Sequence, residues 1–471
     1  MPLLVWPRLS AMMFLFYFSF GSWAIVLSTY LMSAPIKGGL NFSTAEVGWV
    51  YSTFAFGGML APMLVGLLAD RLFRAERVLG TSSLACAGLL AVAGWWCDSN
   101  FANVDREYRA AAARETVDGR PVLDLLPELG PPPRAAGRGD PRWGPVRGAL
   151  DRVNDDAVVR AASAAAFRPL FGVMLAYCFF LQIGLTLLTV ITLRTLPDAG
   201  RRFSRTRMFG TVGWIVTGNT VGIFLAPISP QPLYLGAAAA LATGIYSFTL
   251  PATHPKATGR TVAEALGLPA LKLFRDRSFG VFIGVGFLAT VMNQFYGVYA
   301  HRYFTDMGVP RPEMVMTLGQ VCEVAVMFMI PVLNPKKRLK WLMAAGLVGW
   351  VVRGFAMTFG SMPAAIAFGV PMHGWSYAFY FVVAATYLDR EAPPHLRASA
   401  QAIVSFVANG FGNWVGNVLA GDVVDAFRTG TVIDWQPVWA VPLVGASVAL
   451  VAFVLLFQPP PERPAEKSAA P

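Results

Sequence analysis

Charged side chains are scarce in this chain. Only 14% of its 471 residues are Asp, Glu, Lys or Arg, where a soluble domain carries roughly 25%. With 55% hydrophobic residues and a mean hydropathy of +0.52, that shortfall excludes an ordinary water-soluble globule. Cysteine is nearly missing too. Cys86, Cys97, Cys178 and Cys322 stand in or at the end of apolar stretches and in no metal-ligand spacing. This argues against a zinc centre or a disulfide framework, so no metal and no cofactor is expected. No Gly-rich phosphate loop is present, which disfavours an ATP-driven pump. No nucleophile–base pair is visible either, so an enzyme is not expected.

In place of charge the chain has long apolar runs. Twelve can be laid out, near 9–33, 46–69, 77–96, 169–193, 208–227, 231–250, 279–303, 314–333, 340–358, 362–387, 398–420 and 437–457. A helix needs about 20 mostly apolar residues to cross a bilayer. The runs are too long for barrel strands and lack period-two alternation, so helix is the expected state. The first run continues straight into the array, and no cleavable signal peptide is expected. The reading is an all-α membrane protein of twelve transmembrane helices.

Orientation follows from Lys and Arg. If the N-terminus is cytoplasmic, the segments on that side carry 22 of them and the short loops on the other side carry four: Lys37, Arg302, Arg311 and Arg428. Positive charge collects on the cytoplasmic face. A multi-pass protein of the inner membrane with both termini inside is therefore expected. The net charge of +11 then reads as topology, with anionic lipid as its other use. Nucleic acid is not an expected partner.

The runs divide into two sets of six. Residues 1–250 form an N-terminal bundle, 251–278 a basic linker with Pro251, Pro255 and Pro269, 279–457 a C-terminal bundle, and 458–471 a cytoplasmic tail. The second-to-third loop reads GLLADRLFRAER, with Gly66, Asp70, Arg71 and Arg74. It resembles the Gly-x-x-x-Asp-Arg loop signature of the major facilitator superfamily, although Phe73 stands where Gly is usual. An Asp/Arg pair there can latch two helices on the cytoplasmic side, and plain topogenic charge is the competing reading. In such layouts substrate sits between the halves near the midplane.

Residues 98–168 interrupt the pattern with 11 Arg, 11 acidic residues and no Lys. They are expected on the outer side, where long loops translocate regardless of charge. Residues 126–140 are Pro/Gly-rich and read as flexible loop. Flanks near 103–116 and 144–167 read as Ala/Arg-rich helices. A surface elaboration, a substrate-capturing cap and a partner site are the three readings.

Polar residues inside the runs carry the functional argument, because such groups are costly in hydrocarbon. Arg207, Thr211 and Trp214 stand four and three apart on one helical face. Together they offer donors for hydroxyls and an aromatic plane. Arg207 as a cytoplasmic anchor and Trp214 facing lipid is the plainer alternative. Gln320 and Glu323 share a face, and a mid-bilayer carboxylate suits a proton carrier. A structural partnership with Arg353 is its alternative. Span seven adds Asn293, Gln294, Tyr296 and Tyr299. The Gln294 amide suits a base edge or a sugar, or packs helices. Span ten offers His373, Tyr377 and Tyr380. His373 is either a titrating group or a packing residue.

Several motifs fall in order along the chain: GSW (Gly21 to Trp23), VYSTFA (Val50 to Ala55), FGTVGW (Phe209 to Trp214) and GQVCE (Gly319 to Glu323). His373–Gly374, LRASAQ (Leu396 to Gln401), NGFGNWVGNVLAG (Asn409 to Gly421) and IDWQPVW (Ile433 to Trp439) complete the set. In these the chain resembles the nucleoside:proton symporters of the major facilitator superfamily over nearly all of its length apart from 98–168. The resemblance implies a secondary transporter importing nucleosides with protons by alternating access, acting as a monomer. It implies a substrate site of Arg207, Thr211, Trp214, Gln294, Gln320, His373 and Tyr377, with Glu323 coupling to the proton. Two departures stand out. The family commonly has an acidic residue after the aromatic at Tyr377, where this chain has Ala378, and His373 stands where some members have Tyr. Glu323 is then expected to couple alone. A transporter of another polar solute, such as a sugar or modified nucleoside, and a non-transporting membrane sensor are the alternatives.

Overall fold

A computed structural model describes residues 5–67, 73–129, 142–196, 199–255, 262–265, 267–330, 332–333, 335–393 and 396–458. It is mostly helical. The N-terminal half contains α1 (Val5–Ala24), α2 (Leu27–Met32), α3 (Thr44–Leu67) and α4 (Ala75–Arg114). A hairpin of β1 (Thr116–Val117) and β2 (Arg120–Pro121) follows, then α5 (Val122–Leu129), α6 (Trp143–Asp155), α7 (Ala157–Thr195), α8 (Ala199–Phe224) and α9 (Gln231–Ser247). The linker holds α10 (Val262–Ala265). The C-terminal half contains α11 (Arg277–Asp306), α12 (Pro312–Met329), α13 (Pro335–Phe359), α14 (Met362–Ala364), α15 (Pro371–Ser376), α16 (Val383–Glu391), α17 (Arg397–Ser405) and α18 (Asn413–Ala426). Hairpin β3 (Arg428–Thr429) and β4 (Val432–Ile433) and then α19 (Trp435–Leu456) close the chain.

The described part of each expected apolar run is mostly helix. Seven helices among the described residues are long and apolar enough to cross a membrane: Val5–Met32, Ala75–Arg114, Ala157–Thr195, Arg277–Asp306, Pro312–Met329, Arg338–Phe359 and Trp435–Leu456. The other five runs are helical without meeting that measure. Helix α9 has 17 residues. Runs 362–387 and 398–420 are divided by π-helical turns at Ala365–Gly369, Tyr377–Val382 and Phe406–Gly412. Such turns re-aim the side chains that follow them and often mark functional positions. Gly66 lies near the end of α3, while Asp70 and Arg71 lie outside the described residues.

The insertion is a folded cap. Helices α4 and α7 are 40 and 39 residues long, about 60 Å at 1.5 Å per residue, twice what a bilayer core needs. Their overhang carries the cap. Asp156 breaks the chain between α6 and α7, and its carboxylate accepts from the Val158 and Val159 amides to start α7. The flexible-loop expectation is corrected for residues 126–129. Val122, Leu125 and Leu129 recur at helical spacing, so α5 forms and buries that face against Trp143 and Val146 of α6. The Trp143 indole donates to the Leu129 carbonyl at 3.3 Å. Residues 130–140 lie outside the described residues. On the cap surface Arg120 and Glu128 pair at 2.7 Å, and the guanidinium holds the Glu128 carboxyl below the usual carboxylate range.

The cap also reaches the other half. Asp151 accepts from the Thr431 amide at 2.5 Å, and Arg428 lies 3.8 Å from Asp155. Gly430 has φ +59° and packs so closely on Asp151 that a Cβ would strike it. Apolar packing follows the same division. One continuous cluster joins the N-terminal half to the cap-end residues Phe295, Tyr299, Trp435 and Trp439. The linker end of the C-terminal half, with Phe282, Met343, Tyr387 and Phe453, forms a separate cluster. The halves are thus fused at the cap end.

Removing the ring of Trp143, which is 7% exposed, should cost about 3–5 kcal/mol. In hydrogen exchange, Trp143→Ala should deprotect 122–155 and leave the central helices unchanged. Unaltered protection across 122–155 would mean that the cap has no cooperative core.

Candidate substrate site between the two halves

Glycine contacts set the geometry on both sides of a central cavity. On α8, Gly213 lies against the Phe14 backbone and Gly210 against the Tyr17 ring, where a Cβ would clash. Helix α1 therefore packs directly on α8, as small residues allow in helix pairs within membranes. Arg207, Thr211 and Trp214 share an α8 face that looks into the cavity. The Arg207 guanidinium stands 4.4 Å over the Tyr17 ring. Trp214 meets Phe20 edge-on at 5.0 Å. Across the gap, Gly374 of α15 touches the backbone of Gly319 and Glu323 on α12, and only glycine fits there. That crossing sets Gln320 and Glu323 beside His373 and Tyr377.

The cavity has a volume of about 630 Å³ and draws its walls from both halves. Arg207, Thr211, Trp214, Gln294, Gln320, Glu323, His373 and Tyr377 all line it. Glu323 is 8% exposed and Thr211 4%. The Arg207 guanidinium and the hydroxyls of Thr211 and Tyr377 lie within electrostatic reach of the Glu323 carboxylate. Tyr377 interacts with the same guanidinium. Arg207 is therefore part of the cavity wall, and Trp214 faces the cavity.

The suggested pairing of Glu323 with Arg353 is corrected. Arg353 of α13 is held by Asn293, whose Oδ1 accepts from it at 3.2 Å, and by the Tyr296 ring at 4.7 Å. Gln294 donates to Asn413 Oδ1 at 2.7 Å, and Asn413 donates onward to the Asn409 carbonyl at 2.9 Å. This leaves the Gln294 oxygen for the cavity. Trp214 Nε1, Gln320 Oε1 and the Tyr296 hydroxyl are buried with no hydrogen-bond partner in the protein. A buried polar atom normally has one, so these cavity-lining groups are free to serve a polar solute. Two span tyrosines lie elsewhere. Tyr299 donates to the Thr44 carbonyl at 3.0 Å, and Tyr380 packs on Trp350.

Sequence reasoning missed three features. Asn409, Asn413 and Asn417 all line the cavity, and their four-residue spacing on one helical face was a readable signal. The Asn293–Arg353 bond had no local signal. Nor had a relay at the cap end, where Thr29 Oγ1 lies 2.7 Å from His301 Nδ1 and His301 Nε2 lies 3.0 Å from Glu313 Oε2. All three residues are at most 2% exposed. Thr44 Oγ1 adds a further bond between the halves, to Asp425 at 3.2 Å.

Two helical halves around a polar cavity, with a carboxylate of one facing a guanidinium of the other, define a secondary transporter of the major facilitator fold. The chain belongs to the nucleoside H+ symporter family, whose profile matches residues 4–102 and 152–462. The unmatched stretch between these segments is most of the cap. YegT of Escherichia coli (strain K12) is 29% identical over 96% of this chain and 93% of its own. The xanthosine permease of the same organism is 27% identical over 96% and 94%. The crystal structure of nucleoside transporter NupG aligns with a TM-score of 0.71 at 22% identity, covering 96% of this chain and 99% of that one.

The relay makes its own prediction. Leaving a buried hydrogen-bonding group without its partner costs about 1–3 kcal/mol. His301→Ala should lower the unfolding temperature in detergent, and His301→Ala with Glu313→Gln should recover part of the loss. A single variant as stable as the parent would show that the relay holds nothing together.

Proposed function

We propose that this protein imports nucleosides together with protons, by alternating access around the cavity between its halves. The observation that carries the reading is Glu323, a buried carboxylate on the C-terminal half with Arg207 and Thr211 of the N-terminal half as its counterparts. When Glu323 is ionised, its attraction to Arg207 draws the halves together at mid-cavity. When it is protonated, the guanidinium and hydroxyl are released to a solute. Proton loading and nucleoside loading thereby act on one contact. Ala378 leaves no second carboxylate beside Tyr377, so Glu323 couples alone.

Arg207, Thr211, Gln294, Gln320 and His373 supply hydrogen bonds to the sugar hydroxyls and base. Trp214 and Tyr377 pack on the rings. The names of relatives, one a xanthosine permease and one a nucleoside transporter, support a nucleoside as the solute. Twelve spans, with both termini, the 251–278 linker and the 458–471 tail on the cytoplasmic face of the inner membrane, agree with the Lys/Arg bias. The cap then faces outward. The Gly66, Asp70 and Arg71 loop serves as a cytoplasmic latch. The cap-end contacts close the outer side, so the cavity belongs to the state that exchanges with the cytoplasm. The protein acts as a monomer.

Glu323→Gln keeps the shape and hydrogen-bonding capacity of the side chain and removes its charge. In cells lacking nucleoside uptake of their own, the parent should accumulate radiolabelled nucleoside and lose accumulation with an uncoupler. The variant should fail to accumulate and still exchange nucleoside across the membrane. Accumulation by Glu323→Gln with unchanged pH dependence would remove Glu323 from coupling.

A further inference from the structure

Arg353 is 4% exposed, and among the described residues no carboxylate lies within ion-pair distance of it. A buried cation without a counter-ion is costly unless fixed dipoles take up its charge. Here neutral groups do so, and the arrangement orders them. Asn293 Oδ1 accepts from both terminal nitrogens of Arg353 at 3.2 Å and from Trp350 Nε1 at 3.3 Å. Arginine and tryptophan can only donate. The Asn293 oxygen is therefore turned towards Arg353, and its amino group is turned away. His373 Nδ1 lies 3.5 Å from Arg353 Nη1. Facing a donor, Nδ1 must be the acceptor, and the ring hydrogen sits on Nε2. Tyr296 stacks on the imidazole at 4.9 Å and 18° and holds its plane.

Asn293, Tyr296 and His373 line the central cavity, and Arg353 does not. Among the described residues no protein group takes the Asn293 amino hydrogens or the His373 Nε2 hydrogen. We propose that Arg353 is a positioning residue for substrate selection. It sets Asn293 and His373 as a wall of donors that favours nucleosides with carbonyl acceptors on the base edge over those with amino groups there.

This inference rests on the nucleoside reading above. Sugar hydroxyls rotate to donate or accept and cannot be sorted by such a wall. Base edges are fixed: guanine offers O6 and N7 and thymine O4 as acceptors, whereas adenine and cytosine offer amino donors at the matching positions. An amino group against this wall leaves donors on both sides unpaired.

The test is the Michaelis constant for uptake of guanosine and thymidine against adenosine and cytidine, with each variant's membrane abundance measured. The parent should take guanosine and thymidine with KM lower by at least about fivefold, the smallest effect of one well-made base-edge contact. Asn293→Asp keeps an oxygen for Arg353 and replaces the amino donor with an acceptor. It should raise KM for thymidine, lower it for cytidine and bring the ratio to one or below. Arg353→Leu frees Asn293 to turn and should bring the ratio towards one. If that variant fails to reach the membrane, the parent and Asn293→Asp ratios decide alone. A purely structural role would change maximal uptake and leave the ratio alone. A parent without preference, a parent preferring adenosine and cytidine, or an unchanged ratio in Asn293→Asp overturns the inference and leaves nucleoside transport standing. Uptake of none of the four overturns the nucleoside reading and this inference with it.

Discussion

Glu323 faces Arg207 and Thr211 across a cavity lined by both halves. A carboxylate in hydrocarbon needs a proton or a cation beside it, and among the described residues the cation that bears on it is Arg207, carried by the opposite half. The fold around it serves that requirement. Gly319 and Gly374 bring α12 and α15 into backbone contact, which places Glu323 on the cavity wall. Gly210 and Gly213 let α1 lie against α8, which presents Arg207 and Thr211 from the other side. A Cβ at Gly374 would displace Glu323 itself.

The remaining buried charges are arranged so that they do not compete. Arg353 spends its donors on Asn293 and His373, with the Tyr296 ring beneath it. Glu313 is paired with His301 at the cap end. Around Glu323 stand the Arg207 guanidinium and the Thr211 and Tyr377 hydroxyls. In the proposed mechanism its protonation weakens the attraction between the halves across the cavity. The cap adds a further tie, because Asp151 and Asp155 grip the β3–β4 hairpin of the other half. Opening the cap end must break those contacts along with Thr29–His301 and Thr44–Asp425.

Much of this was legible in the sequence. Apolar length located the helices, and the helical spacing of Arg207, Thr211 and Trp214 and of Gln320 and Glu323 put each set on one face. The motif resemblance brought both sets to one cavity, where the structure also places Gln294, His373 and Tyr377. What escaped depends on contacts between distant segments. Glu323 could be matched with Arg353 on proximity of spans alone, yet the rotation of α13 gives Arg353 to Asn293. His301 and Glu313 are twelve residues apart on different helices, with Glu313 just outside its expected span. The π-helical turns at Tyr377 and Phe406 shift register without any change in hydropathy. The first residues of 126–140 looked like loop because proline and glycine dominate the stretch, while three apolar residues at helical spacing just before and within its start were enough to seat α5.

The central claim is that proton and nucleoside move together through the Glu323 contact. Its most direct measurement uses purified protein in vesicles holding a pH-sensitive dye, with no gradient imposed and the membrane potential clamped. Adding nucleoside outside should acidify the lumen as protons enter with the solute, and Glu323→Gln should give no acidification while labelled nucleoside still equilibrates. Nucleoside entry without any lumenal pH change in the parent protein, or acidification that persists in Glu323→Gln, would contradict the account.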